Sequence, residues 1–433
     1  MNRTSLQLLA LGCGIGLIYL VVAVANAWQT GDAVANPAGN RLSSVADRES
    51  GGADSAVPLT AETVARVEAF CGDCHAVPIP ANYAQHRWSD EVKRGYEFYA
   101  RSGRADLDPP APQETLAYYL ARAPQQAEFP QPAEASQPLQ TKFRVERRFI
   151  PDNGRLPEVS SLIWAPLQLG GRSMLIACDM KYGQVVALDP NNANAAPIIL
   201  ASLEHPARIQ PVSFSDDGST EFLVADLGSF TPAEEPRGRI VLLRRPAGAA
   251  AFETTVLATG FTRTADVRAA DFDRDGAVDL LVAEFGWQQS GGIWWLRNLS
   301  SEKGPLRFER QKLDDRPGTV HLPIHDFDAD GRDDFVALVS QEYEAIDLFL
   351  NRMDGNSSAM QGDKVAFTRL GLWAGPDLTF GSSGLQLSDL NQDGRVDLLL
   401  TNGDTWDSLL AVPAHGVHWL ENQGALQFKH HRL

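Results

Sequence analysis

The sequence predicts two folded parts in series, a small all-α domain followed by an all-β propeller. Two observations carry this. Between two linkers, residues 59–128 place apolar side chains at helical spacing. From 141 to 433 a nine-residue acidic loop followed by a short apolar strand recurs with a period of about 50 to 60 residues, the signature of propeller blades. With 433 residues, 44% of them hydrophobic, the chain has material for more than one core.

The N-terminus has Arg3 ahead of a mostly apolar run, Leu8 to Ala25, closed by Ala25-Asn26-Ala27. This is the pattern of an export signal with a small-x-small cleavage site, or, uncleaved, of a membrane anchor, so residues 1–27 are expected to send the chain out of the cytoplasm to a periplasmic or extracellular location. Residues 28–58 are rich in Ala, Gly, Ser and Asp without periodicity and read as a flexible linker.

In 59–128, Thr60 is placed to cap a helix whose Val64, Val67, Phe70 and Cys71 share a face. Trp88, Val92, Tyr96 and Tyr99 mark a second helix, and Leu116, Tyr119, Leu120 and Ala123 a third that Pro124 stops. A domain of about 70 residues buries little core by itself. The end of the first helix supplies a reason for a large prosthetic group: Cys71-Gly72-Asp73-Cys74-His75 has the Cys-x-x-Cys-His spacing of a covalent c-type haem. The two thiols would bond the porphyrin and His75 would be the axial ligand of the iron. A zinc site would need a second ligand pair, which Cys13 in the leader and Cys178 in a predicted strand do not supply. No Met lies between His75 and Met174, so His86 is the expected sixth ligand, with Tyr96, Tyr99 or an open position as competitors.

A Pro-rich linker, 129–140, leads to the repeats. Asp271-Phe272-Asp273-Arg274-Asp275-Gly276-Ala277-Val278-Asp279 returns as Asp326 to Asp334 and as Asp389 to Asp397. Ser213 to Glu221 is a weaker copy that loses the first and third carboxylates, and Arg172 to Ala177 is a worn one. Oxygen ligands at the first, third, fifth and ninth positions, a Gly for the turn and the seventh carbonyl suit a hard cation. Up to three calcium ions are therefore expected, held by Asp271, Asp273, Asp275, Ala277 (carbonyl) and Asp279; by Asp326, Asp328, Asp330, Arg332 (carbonyl) and Asp334; and by Asp389, Asn391, Asp393, Arg395 (carbonyl) and Asp397. Five residues before each loop stand Arg208, Asp266, His321 and Gly384, expected at the mouth of the central channel, with Asp226 and Glu284 bordering the same funnel. His321 and His325, four apart, would share a strand side.

These loops resemble the FG-GAP or VCBS-repeat proteins, whose blades resemble those of integrin α-subunits. The N-terminal part is similar to the cytochrome c-like domain fused ahead of such repeats in exported bacterial proteins, through Cys71 to Pro80, Trp88, and the Tyr118-Tyr119 and Ala123-Pro124 pairs. That pattern has a Met near the place of Gly95 and Tyr96. Five blades are visible, Phe143 to Ile150 is available to complete another, and the six or seven blades common with these repeats leave a truncated C-terminus as the alternative to a five-bladed ring.

Three functions compete: electron transfer through haem with the propeller docking a redox partner of the cell envelope or another ligand; a redox enzyme with the propeller as substrate domain; and a binding or adhesion protein with a sensory haem. No acid/base pair or nucleotide fingerprint assembles, which favours a carrier over a catalyst. A net charge of −17 argues against nucleic acid and against an anionic bilayer, leaving the N-terminal segment as the expected membrane contact.

Overall fold

The computed structural model describes residues 59–130, 157–168, 171–192, 195–300, 304–353, 367–404 and 410–433. The export segment, the first linker, most of the second and Phe143 to Ile150 lie outside them. No helix among the described residues is long and apolar enough to cross a membrane. The described residues divide into two units, 59–72 with 83–126, and 73–82 with 127–433.

The first unit holds helices α1 (Ala61–Cys71), α2 (Trp88–Ser102) and α3 (Pro112–Leu120). Thr60 begins α1, its hydroxyl accepting from the Thr63 amide at 3.1 Å, which satisfies one of the donors a helix start leaves open. Gly103, at φ 70°, ends α2 in the left-handed conformation that suits glycine. Helix α3 stops at Leu120 rather than Ala123, because the amides of Arg122 and Ala123 both turn back to the Tyr119 carbonyl. The core is aromatic: Trp88 stacks on Tyr119 with ring centres 3.8 Å apart at 7°, and Tyr83 and Tyr118 meet this pair edge-on.

The second unit is an all-β five-bladed propeller of antiparallel sheets. Blade 1 is β1 (Val159–Pro166), β2 (Ser173–Asp179), β3 (Gln184–Leu188) and β4 (Ile198–Ser202). Blade 2 is β5 (Pro206–Val212), β6 (Thr220–Asp226), β7 (Gly238–Arg245) and β8 (Glu253–Phe261). Blade 3 is β9 (Thr264–Ala270), β10 (Asp279–Glu284), β11 (Gly292–Asn298) and β12 (Phe308–Asp314). Blade 4 is β13 (Thr319–His321), β14 (Ile324–His325), β15 (Asp334–Val339), β16 (Ala345–Asn351) and β17 (Phe367–Ala374). Blade 5 is β18 (Ser382–Ser388), β19 (Asp397–Asn402), β20 (Gly416–Gly424) and β21 (Gln427–Arg432).

Strands β6, β10 and β15 are buried on both sides, so they read as continuous apolar runs. They are sandwiched between cores that join blade 1 to 2, 2 to 3, 3 to 4 and 4 to 5; among the described residues no such core joins blade 5 to blade 1. The first strand of blade 4 breaks after His321, where Leu322 turns into the core and Pro323 has no amide to donate. His321 and His325 thus fall on separate strands, and the alternation that would set them on one side does not run through. Within this unit, residues 73–82 are held by Asp377, which accepts from the Ile79 amide at 2.6 Å and Asn82 Nδ2 at 3.0 Å.

Candidate functional site

The three acidic loops superpose in their bonding. In each, the first Asp accepts from the amides of the fifth and sixth residues: Asp271 from Asp275 and Gly276 at 3.1 and 2.9 Å, Asp326 from Asp330 and Gly331 at 3.1 and 2.8 Å, Asp389 from Asp393 and Gly394 at 3.0 and 2.9 Å. The fifth Asp accepts from the amide of the seventh residue, Ala277, Arg332 or Arg395, at 2.9 Å each time. The sixth residue is a glycine at φ 81–90°, a conformation that excludes most side chains. The fourth residue, Arg274, Ala329 or Gln392, is also left-handed at φ 58–60°, which spacing alone does not reveal.

This bonding converges carboxylates. Oxygens of Asp271, Asp273 and Asp275 lie within 4.8 Å of one another, as do those of Asp326, Asp328 and Asp334. Asp273 is 5% exposed and its Oδ1 is buried without a hydrogen-bond partner. A buried, partnerless carboxylate oxygen beside two more carboxylates fits a hard cation. Positively charged side chains already reach the same groups: Arg297 pairs with Asp273 and Asp275, Arg352 with Asp328 and Asp330, Arg332 with Asp330, and Arg395 with Asp393.

The ninth position has a second job. Asp279, Asp334 and Asp397 are fully buried and each accepts the amide of an Asn at the end of the third strand: Asn298 at 2.7 Å, Asn351 at 2.7 Å, Asn422 at 2.8 Å. The other oxygen takes Trp295 Nε1 at 3.1 Å, the Phe327 amide at 2.9 Å or the Leu390 amide at 3.0 Å. Burial pushes Asp279 up to about 7 and Asp334 to about 6. Glu221 keeps this staple in blade 2, accepting from the Phe214 amide at 2.7 Å, although its loop has lost the first and third carboxylates. The ninth acid therefore ties the loop to the sheet whether or not the loop has a full set of ligands.

The residues expected at the channel mouth separate into two groups. Arg208, Asp266 and His321 meet: Arg208 Nη2 lies 3.0 Å from His321 Nε2, Arg208 Nε 3.6 Å and His321 Nδ1 3.9 Å from Asp266. Arg268, which spacing did not single out, donates to Asp266 at 3.0 Å, as does the Leu322 amide. Burial lowers Arg208 to about 10, and burial with Arg208 alongside lowers His321 to about 4. Burial would raise Asp266, but Arg268 and Arg208 hold it below the usual carboxylate range.

Asp226 and Glu284 instead serve their own blades. Asp226 accepts the His205 amide at 2.6 Å and Arg239 Nε at 2.8 Å; Glu284 accepts the Thr262 amide at 2.6 Å and Trp294 Nε1 at 2.7 Å. Asp179 likewise accepts the Glu158 amide at 3.2 Å, whereas Glu344 of blade 4 reaches into the next blade and accepts the Ser382 amide of β18 at 2.9 Å. The signal for Asp179 was present, since β2, β6 and β10 all end on an acid. Gly384 lies on β18 opposite Thr401.

Cys71 closes α1 in the first unit, and Cys74 and His75 belong to the second. Both cysteines are thiols rather than a disulfide. Burial raises the half-buried Cys71 above its ordinary value, with a Tyr119 hydrogen bond pulling the other way. His75 Nδ1 donates to the Ala76 carbonyl at 2.8 Å, which directs the lone pair to Nε2. Two thiols and an imidazole in that tautomer fit a covalently attached haem. His86 is exposed on the short turn Gln85–Arg87. Tyr96 donates to the Pro110 carbonyl at 2.6 Å and Tyr99 to that of Leu107 at 3.4 Å, so both phenols are tied to the loop before α3.

Solved structures resemble the chain weakly. One described as a candidate 6-phosphogluconolactonase from Bacteroides uniformis is 14% identical at a TM-score of 0.32, covering 53% of this chain, which spans 60% of that protein's length. An α-L-arabinofuranosidase from Lactobacillus brevis is 11% identical at a TM-score of 0.38, over 62% of this chain and 93% of that one. An aldose sugar dehydrogenase from Streptomyces coelicolor, in its PQQ-bound form, is 12% identical at 0.34, over 64% and 82%. Comparison with curated proteins returns no match. Residues 326–400, from the blade-4 loop into β19, match the FG-GAP-like repeat, which agrees with the propeller.

Proposed function

We propose that this chain is an exported c-type cytochrome whose propeller, stiffened by calcium, docks a redox partner. The observation that carries the reading is the Cys71, Cys74 and His75 set, in which the Nδ1 contact with Ala76 leaves Nε2 as the nitrogen for iron. Haem, when bound, supplies a reversible one-electron couple. The chain's own contribution is orientation and exclusion of water. Cys71 is fixed at the end of α1, Tyr119 sits against its thiol, and the Trp88–Tyr119 stack keeps that side dry. The loops of blades 3, 4 and 5 are the proposed calcium sites: Asp271, Asp273 and Asp275 are the convergent carboxylates in blade 3 and Asp326, Asp328 and Asp334 in blade 4, with Asp389, Asn391, Asp393 and Asp397 as the matching set in blade 5. A net charge of −17 favours a partner with a basic docking face.

Expression in a host competent for cytochrome maturation, followed by a haem stain on a denaturing gel, tests the reading. Cys71→Ser with Cys74→Ser should lose the stain. Unmodified cysteines in the mature wild-type chain, read by mass spectrometry, would refute it. Spectra of the stained protein then decide His86: His86→Ala should convert a low-spin signal to a high-spin one if that ring ligates iron.

A further inference from the structure

We propose that Arg297 is a built-in competitor for the divalent cation at the blade-3 loop, so that calcium enters only by displacing the guanidinium. The proposal rests on the calcium reading above and concerns its regulation. Asp273 is divided between two demands. Its Oδ2 accepts from Arg297 Nε and its Oδ1 is buried and partnerless, while a carboxylate oxygen of Asp273 lies within 4.8 Å of oxygens of Asp271 and Asp275. The same guanidinium reaches Asp275 through Nη2 at 3.3 Å. A unit positive charge this close to two of the three ligands repels an incoming cation and takes up one of the two oxygens of Asp273.

Blades 2 and 5 supply a natural series, while in blade 4 the place of Arg297 is held by Leu350, and Arg352, two residues on, pairs with Asp328 and Asp330 instead. Pairing of Phe222 with Leu243, Leu280 with Leu296 and Leu398 with Leu420 puts Arg244, Arg297 and Glu421 at one structural place, the end of the third strand beside the loop. In blade 2, Ser213 and Ser215 replace two carboxylates, and Arg244 pairs with Asp217 and, at 3.2 Å, with Glu221. There the arginine closes a loop that has lost its ligands. In blade 5 the place is taken by Glu421, which accepts from Asn391 at 3.3 Å and pairs with His431 at 2.8 Å, so no arginine reaches the loop from this place, although Arg395 within the loop pairs with Asp393. Blade 3 stands between these, with a full set of carboxylates and the arginine still in position. Arg297 is thus a specificity device, setting how much calcium the loop needs before it fills.

The full-length chain, stripped with chelator and dialysed, is titrated with calcium by calorimetry at low ionic strength. Arg297→Gln should tighten one site by about ten-fold or more, and that gain should vanish in Arg297→Gln with Asp271→Asn. Arg297→Lys, which keeps the charge, should stay within about three-fold of wild type. Circular dichroism in chelator confirms that each variant is folded before titration. If wild type binds calcium and Arg297→Gln leaves every site unchanged or weaker, or if Arg297→Lys gains as much as Arg297→Gln, competition is overturned while the calcium reading stands. If neither wild type nor Arg297→Gln takes up calcium at millimolar concentration, both fall.

Discussion

At the scale of single residues, burial sets the pH response of blade 5. His418 is 3% exposed, its Nε2 donates to Asn402 Oδ1 at 3.1 Å, and its Nδ1 lies 2.9 Å from His430 Nε2. Asn402 spends both amide hydrogens on the Phe380 and Ala414 carbonyls, so its oxygen is fixed as the acceptor. Burial first, then His430 and Arg432 nearby, lower His418 to about 4. A histidine whose folded pKa is depressed binds its proton more readily when unfolded. Stability is therefore complete above the unfolded value near 6.5 and is lost as pH falls from there toward 4, by up to about 3 kcal/mol. Urea midpoints at pH 7 and pH 5 should differ in wild type and differ less in His418→Gln; equal pH sensitivity in the two would refute this assignment. The ninth-position acids give a second residue-scale prediction. Asp397→Ala strands the Leu390 and Asn422 amides and should cost about 2–3 kcal/mol even in excess chelator, where no cation contributes. A ligand with no staple role would lose its effect under chelation. Spacing identified these acids, but it could not show which amides face them, because those amides come from the turn and from a strand about 20 residues away.

At the scale of elements, cap chemistry marks the start of α1 and unbroken apolar runs mark the strands buried on both faces. Thr60 starts α1, and the apolar strands after each loop lie where the sequence placed them, because a sheet buried on both faces needs an unbroken apolar run. Two boundaries moved. The end of α3 is decided by two amides sharing one carbonyl, and the break between β13 and β14 by Pro323 and the pull of the core on Leu322. The helical unit depends on its aromatic stack more than on its short helices. Trp88→Ala should cost about 3–5 kcal/mol and raise hydrogen exchange in α1 to α3 while leaving that of β6, β10 and β15 unchanged. Exchange that stays at wild-type rates in α3 would count against this role of the stack.

At the scale of the whole molecule, four apolar cores couple five blades, so a change at one loop is felt by its neighbours through shared side chains. Loops crowded with carboxylates are destabilised by their own charge, and a bound cation stabilises the folded state by mass action. Excess chelator should therefore lower the Tm of the propeller by several degrees relative to millimolar calcium, as read by differential scanning calorimetry. An unchanged Tm would remove calcium from the account.

The sequence by itself determined the motifs and the repeat: Cys71 to His75, three acidic loops in register, and the apolar strands behind them. Each is local, written within ten residues, and follows from covalent spacing and alternation. Only the tertiary structure decided what those groups face. Arg208, Asp266 and His321 come from blades 2, 3 and 4 and meet because inner strands converge on one axis. Asp226 and Glu284, which looked equivalent to them, turn to backbone amides of their own blades. Arg297 reaches Asp273 across a strand pairing that no local pattern encodes, and electrostatics acts through space rather than along the chain.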